Sequence, residues 1–299
     1  MTGSVSIVLG TPDDSELDRV AGALGAWQHD RGPLQLHPGD LGWFSLRGVA
    51  ATAAAIRTWS RAGTILALGL LDGPQLLRLA VDPELCEDDE LARQLAADVD
   101  DPRRGVLEAG SAVVEARGAG RLSRLLSERG WQPDEPWTPL RRDLTDYVPD
   151  VGLRVEVIGP DQVDLWVAVY WSAFRGSPFT ADDRRRLMDR WLTMAAGPLY
   201  AGARSLTAFD ETGNAVAVAT VWPSGPGRPG LLEPVGVHRD HRHRGYGVAI
   251  TLAAAAALRE MGSSSALVST PSANVAAVSA YAAAGFLADQ PVPDLRRSA

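Results

Sequence analysis

Short runs of alternating hydrophobic and polar positions recur along this chain, separated by stretches of helical periodicity. In the first half, alternation predicts strands at residues 4–9, 39–46 and 111–116. A hairpin at 64–71 and 75–81 turns on Asp72-Gly73, a pair that accepts positive φ. Helices are predicted at 16–27 (behind the capping run that starts at Thr11), at 50–60, at 89–98 and at 121–129. Residues 131–150 hold four prolines and many charges, which predicts a linker and a domain boundary. In the second half, a strand at 153–158 precedes helices at 161–174 and 181–195. A hairpin at 205–209 and 216–222 follows, then a strand at 231–237, a helix at 248–261, a strand at 266–269, a helix at 274–284 and a last strand from 286. The pattern describes an α+β protein with one domain at 1–147 and another at 148–299.

The composition is that of a globular chain, 45% hydrophobic and 22% charged over 299 residues, enough for two cores. No apolar run approaches the ~20 residues that span a bilayer, and residues 1–12 lack the features of a signal peptide, so no membrane partner and a cytoplasmic location are expected. The single cysteine, Cys86, excludes an internal disulfide and fits a reducing compartment. All 29 basic residues are arginine, which excludes a lysine nucleophile or a lysine-bearing phosphate loop. Charge is unevenly shared: residues 1–150 carry 15 arginines against 24 acidic residues, net −9, and residues 151–299 carry 14 against 13, net +1. The acidic half disfavours nucleic acid and favours a cationic partner, such as a small-molecule amine.

The chemistry concentrates at 233–249. A short apolar run ends at Val237, seven polar residues follow, and Gly245 and Gly247 open an alanine-rich helix. The free N–H groups of such a helix start, with its dipole, make an anion site. Arg242 and Arg244 add positive charge, so a phosphate or pyrophosphate is the expected guest. A dinucleotide-binding reading fails because no third glycine follows Gly247. His238, His241 and His243 stand among arginines and without cysteine, so no metal is expected.

Arg242-His-Arg-Gly245-Tyr-Gly247 fits R-x-x-G-x-G, and Asn274 to Phe286 fits N-x-x-A-x-x-x-Y-x-x-x-G-F. Both motifs, in this order, resemble those of the GNAT superfamily of acyl-CoA N-acyltransferases. The resemblance implies a mixed, mostly antiparallel sheet flanked by helices, with acetyl-CoA as co-substrate. The N–H groups around Arg244, Gly245, Tyr246, Gly247 and Val248 would hold its pyrophosphate, with Arg242 and His243 of the same loop also counted as cofactor-binding; Arg242 and Arg244 equally suit simple solvated charges. The backbone of Val235, Gly236 and Val237 would pair with the pantetheine arm like an added strand, and Asn274 would bond the same arm. Tyr281 would stand at the thioester sulfur as proton donor. Glu233, on the face shared by Val235 and Val237, is the candidate base for an ammonium substrate, directly or through water; an ion pair or an anchor for the acceptor suits it equally. Trp166, Tyr170, Trp171, Phe174 and Phe179, with Asp182 and Asp183, are candidate acceptor-site residues; aromatics at this spacing equally suit a core. The implied activity is N-acetyl transfer to a primary amine by direct attack. The alternative is a non-catalytic acyl-CoA-binding or regulatory protein.

A weaker echo lies in the first half. Counting from Val81 as from Val237, the glycine-loop positions become Cys86 to Leu91, with four consecutive carboxylates and no glycine. The positions matching Asn274 and Tyr281 are Ala119 and Leu126. The first half is thus expected to be a degenerate tandem copy without a cofactor loop.

Overall fold

The computed structural model describes residues 6–150 and 152–299. Its elements are β1 (Val8–Gly10), α1 (Leu17–Trp27), α2 (Pro38–Phe44), α3 (Val49–Ala55), β2 (Ile56–Arg61), β3 (Thr64–Leu71), β4 (Leu76–Val81), α4 (Asp89–Asp100), β5 (Ala112–Glu115), α5 (Gly120–Glu128) and β6 (Gln132–Asp143). Then come β7 (Arg154–Val157), α6 (Val163–Phe174), α7 (Ala181–Ala195), β8 (Arg204–Phe209), β9 (Ala215–Trp222), β10 (Gly230–Val237), α8 (Tyr246–Glu260), β11 (Ser265–Pro271), α9 (Val275–Ala283), β12 (Leu287–Ala288) and β13 (Val292–Arg297). No described helix is long and apolar enough to cross a membrane.

These elements fall into two compact units, and neither is one continuous stretch. The first takes the chain up to His37, then residues 49–137 and 291–299; the second takes residues 38–48 and 138–290. In the first unit β1 to β4 run antiparallel in turn, β5 lies parallel to β4, and β13 pairs antiparallel with β5 and with the first half of β6. In the second, β7 to β10 run antiparallel in turn and β11 lies parallel to β10. The second half of β6 sits beside β11 and also pairs with β12. Each unit therefore repeats four antiparallel strands, a helix, a parallel fifth strand and a helix. In each, the strand beside the fifth is drawn from the other half of the chain.

Each unit has its own core. The first centres on Trp59, whose indole N–H donates to Asp98 Oδ2 at 2.9 Å. Asp98 is 1% exposed and also accepts from Gln94 and Arg104, so its buried charge is fully engaged. The second is built by the alanine face of α8 laid on β9 and β11, with Phe286 and Tyr281 closing one end. Small residues let the helix approach the sheet closely.

Several elements differ from the sequence expectation. The strand predicted at 39–46 is the helix α2: Pro38 opens it, and a Cβ at Gly39 would stand 2.6 Å from the Trp222 side chain, with an even closer approach at Gly42. The two glycines face one indole, so what reads as alternation is a helix face stripped for contact. The predicted helix at 50–60 ends at Ala55, because Ile56 and Trp59 are claimed by pairing with β1 and β3. The predicted linker at 131–150 contains the twelve-residue strand β6. Pro133 and Pro136 cost it ladder donors, and the register against β13 shifts between Pro293 and Leu295. Of the strand predicted at 4–9, Ser4 and Val5 lie outside the described residues.

Candidate functional site

The site is created by strands that part. β10 follows β9 from Leu231 to Val237 but pairs with β11 only at Gly230 and Leu231. Beyond Leu231 no pairing with β11 occurs among the described residues, so the inner edge of β10 opens onto a slot. The register shift against β9 between Leu232 and Val235 brackets Glu233 and Pro234, and the Trp222 indole holds the Glu233 carbonyl at 2.6 Å. The slot widens into a cleft of about 550 Å³ between the end of β10, the start of α8 and one face of α9.

Most of the sequence-predicted cofactor residues line this cleft: Val235, Gly236 and Val237 from β10; Arg242, His243 and Gly245 from the loop; Tyr246, Gly247 and Val248 from α8; and Asn274 at the start of α9. Arg244 is exposed and does not line it. The loop bends at two left-handed residues, His243 (φ 60°) and Gly245 (φ 82°), the latter being the N-cap of α8. Gly245 has no side chain to cap the helix, so the first-turn N–H groups of α8 are not taken up by it. A Cβ on Gly247 would meet only Val237 and Ala280, at 3.6 and 3.7 Å, and would stand in the cleft itself. The Thr251 hydroxyl donates to the Gly247 carbonyl at 2.7 Å and also lines the cleft; sequence reasoning missed it.

Gly236 also serves the packing of the second unit. A Cβ there would come within 2.8 Å of Ala173 and Phe174, so the glycine lets the end of α6 close on β10. Arg242 also serves the fold, donating to the Ala173 carbonyl at 2.9 Å, while Arg239 bonds Ser172 and the Arg175 carbonyl. Loop arginines thus complement the carbonyl end of α6. Asn274 caps α9 by accepting from the Ala277 N–H at 3.3 Å.

Tyr281 closes the inner end of the cleft at 8% exposure, with Phe286 beside it. Burial first, and the Glu233 carboxylate second, push its phenol above the usual range, so it keeps its proton at any working pH. Tyr170 is raised by burial too; Arg175 opposes the shift and Glu233 adds to it. Glu233 does not line the cleft, yet its field reaches both phenols. Burial lowers the pKa of His238, and its Nδ1 accepts from the Asp240 N–H at 3.3 Å, which describes a neutral ring.

The acceptor-side candidates divide. Trp166 is fully buried, and Tyr170 stacks on it at 5.3 Å and 11°; Phe174 lies 5.0 Å from Tyr170 and lines the cleft. Trp171 and Phe179 stack separately at 5.0 Å. Asp182 pairs with Arg185, and Asp183 with Thr180 and Arg186, so both serve the start of α7 and are not free anchors for a substrate cation. Trp43, on α2, is a neighbour that sequence reasoning missed: it packs 5.5 Å from Tyr170 and 6.1 Å from Trp166.

The corresponding place in the first unit is closed. Gln35, 6% exposed, donates to the Val81 carbonyl at 3.3 Å and accepts from the Val81 N–H at 3.1 Å, filling the strand end. Asp88 caps α4 by accepting from the Leu91 N–H at 2.7 Å, while Glu87, Asp89 and Glu90 pair with Arg124, Arg121 and Arg61. A carboxylate of the chain already sits where a helix start would receive an anion.

Comparison with known proteins agrees with this geometry. The model of the Acetyltransferase (GNAT) family matches residues 164–286. A mycothiol acetyltransferase of Thermobispora bispora is 31% identical over 198 residues; the match spans 64% of this chain and 61% of that protein's length. Among solved structures, a tandem GNAT protein from the clavulanic acid biosynthesis pathway superposes with a TM-score of 0.61 at 18% identity, covering 98% of both chains. A GCN5-related N-acetyltransferase from Sphaerobacter thermophilus gives 0.58 at 17% identity, covering 97% of this chain and 95% of its own. Residues 164–286 are therefore similar to the acetyltransferase domain of the GNAT family.

Proposed function

We propose that the second unit transfers an acetyl group from acetyl-CoA to a primary amine, and that the first is a degenerate copy of the same fold without a cofactor site. One observation carries the reading: an uncapped helix start, an unpaired strand edge and a buried tyrosine open on one cleft. The residues suit acetyl-CoA. Gly247 leaves the space a pyrophosphate needs beside the α8 N–H groups. The Val235–Val237 edge offers backbone groups to the amides of pantetheine. The similarity to a mycothiol acetyltransferase supports acetyl transfer, and the acceptor here is left to the chemistry of the site.

Acetyl-CoA supplies an activated thioester carbonyl. Glu233 takes a proton from the incoming ammonium, directly or through water, and so frees the nitrogen lone pair. That nitrogen would attack the thioester carbonyl, a C–N bond replacing the C–S bond as the thiolate departs, and the Tyr281 hydroxyl would donate to the charge growing on sulfur. A phenol held above its usual pKa is a persistent donor and a reluctant acid, so its contribution is to stabilise the departing thiolate.

Calorimetry with acetyl-CoA tests the cofactor assignment, with one molecule per chain expected. Thiol release over a panel of amines tests the chemistry: Tyr281→Phe should lower kcat by roughly 10²–10⁴ with little change in acetyl-CoA affinity. Two molecules per chain would overturn the degenerate copy. Turnover unchanged in Tyr281→Phe would overturn its role.

A further inference from the structure

The helix α2 is a detour. Residues 38–48 leave the first unit, join the second, and the chain then returns to α3. This excursion is built to a tolerance. Gly39 and Gly42 lie against the Trp222 side chain, whose indole N–H holds the Glu233 carbonyl, so α2 is referenced through one tryptophan to the residue proposed as base. The helix packs on β9 and β10, and the short helical turn after it, at residues 45–47, packs on α7. What it delivers is Trp43. The rings of Trp43, Tyr170 and Phe174 form a continuous row with centroid spacings of 5.5 and 5.0 Å, ending at the mouth of the cofactor cleft. Trp43 and Tyr170 are only partly buried, unlike Trp166 behind them.

We propose that Trp43, carried in by α2, is a specificity-determining wall of the acceptor subsite, which with Tyr170 and Glu233 selects a primary amine borne as an ammonium on an apolar, flat frame. Aromatic faces attract a cation through the ring quadrupole and an apolar frame through burial. A carboxylate on the adjoining strand then receives the proton. The field of Glu233 at Tyr170 is consistent with that closeness. The inference rests on the acetyltransferase reading and adds to it a residue outside the 164–286 family segment and a class of acceptor.

The test uses the full chain saturated with CoA and three probes of one shape: phenethylamine as its cation, phenethyl alcohol and phenylpropionate. Calorimetry should give phenethylamine at least tenfold tighter binding than either of the others. Trp43→Ala should remove most of that preference and Trp43→Phe should keep part of it, while CoA affinity stays within twofold in both. Intact CoA binding in a variant also shows that it is folded. Equal affinities for the three probes, no phenethylamine binding, or a preference unmoved by Trp43→Ala would each overturn the proposal. Failure of CoA itself to bind the unaltered protein would instead overturn the acetyltransferase reading.

Discussion

Replacing Gly247 by alanine separates cofactor binding from folding more cleanly than any other change in the cleft. The new methyl carbon would sit 3.6 Å from Val237 and 3.7 Å from Ala280, ordinary contact distances, so nothing in the fold has to move. Gly247 is the second residue of α8 and has no positive φ, so alanine should stabilise that turn by up to about 1 kcal/mol. The methyl would nevertheless occupy the space through which a pyrophosphate reaches the α8 N–H groups. Hydrogen bonds to a charged group are worth about 1.5–3 kcal/mol each, so losing two costs about 3–6 kcal/mol. That corresponds to a rise in the acetyl-CoA Kd of at least about 100-fold. Calorimetry and thermal unfolding on the same preparation measure both quantities. Gly236→Ala is the control with the opposite signature: its Cβ would collide with Ala173 and Phe174 at 2.8 Å, and overpacking of this kind costs about 1–3 kcal/mol of stability. A Gly247→Ala protein that binds acetyl-CoA within threefold of the original would refute the placement of the pyrophosphate, and one that unfolds at lower temperature would refute the free space at that Cβ.

Gln35→Leu keeps the volume but strips both partners from Val81, so urea unfolding should lose roughly 2–4 kcal/mol while acetyl-CoA affinity stays put; binding of a second acetyl-CoA would contradict the view of the first unit as closed for good reason. Asp294 on β13 holds Arg117 through two contacts of 3.2 Å, yet burial outweighs that cation and lifts its pKa to about 6. Against an unfolded value near 3.8, the folded state binds the proton more tightly, so this group's contribution is fully present below about pH 4 and is lost as pH rises through 6. The swing is at most about 3 kcal/mol. Unfolding of the original and of Asp294→Asn at pH 5 and pH 7 should show the variant gaining on the original at the higher pH, and a constant difference would refute the shift.

Local signals are legible in the sequence, and partner choice is not. The glycine loop, the hairpins and the helices at 163–174 and 181–195 are written in turn residues, caps and periodicity, all of which act within a few residues. Asn274 and Tyr281 can be placed because seven residues of helix fix their relation. The helix at 38–44 reads as a strand because its decisive contact, glycine on Trp222, lies far away along the chain. Ile56 to Arg61 leaves its alanine helix for a strand under the pull of two neighbours that no local pattern names. Asp182 and Asp183 stand out as charges near aromatics, but helix starts consume such residues in capping and i,i+3 pairs. Trp43 escapes notice for the same reason that α2 does: its ring neighbours depend on which unit the segment joins.

The exchange of strands sets an order of events during synthesis. The first unit contains most of the residues made early, yet the strand between β5 and β6 is residues 292–297. Until those have emerged, β5 presents an unpaired edge, with Val113 and Val114 lacking their ladder partners. The second unit meets the reverse situation, since residues 138–143 of β6 and the helix at 38–44 are waiting before β11 and β10 exist. Neither half can therefore finish alone on the ribosome. The first unit is completed by residues 292–297, so its sheet closes only after the second half of the chain has been made.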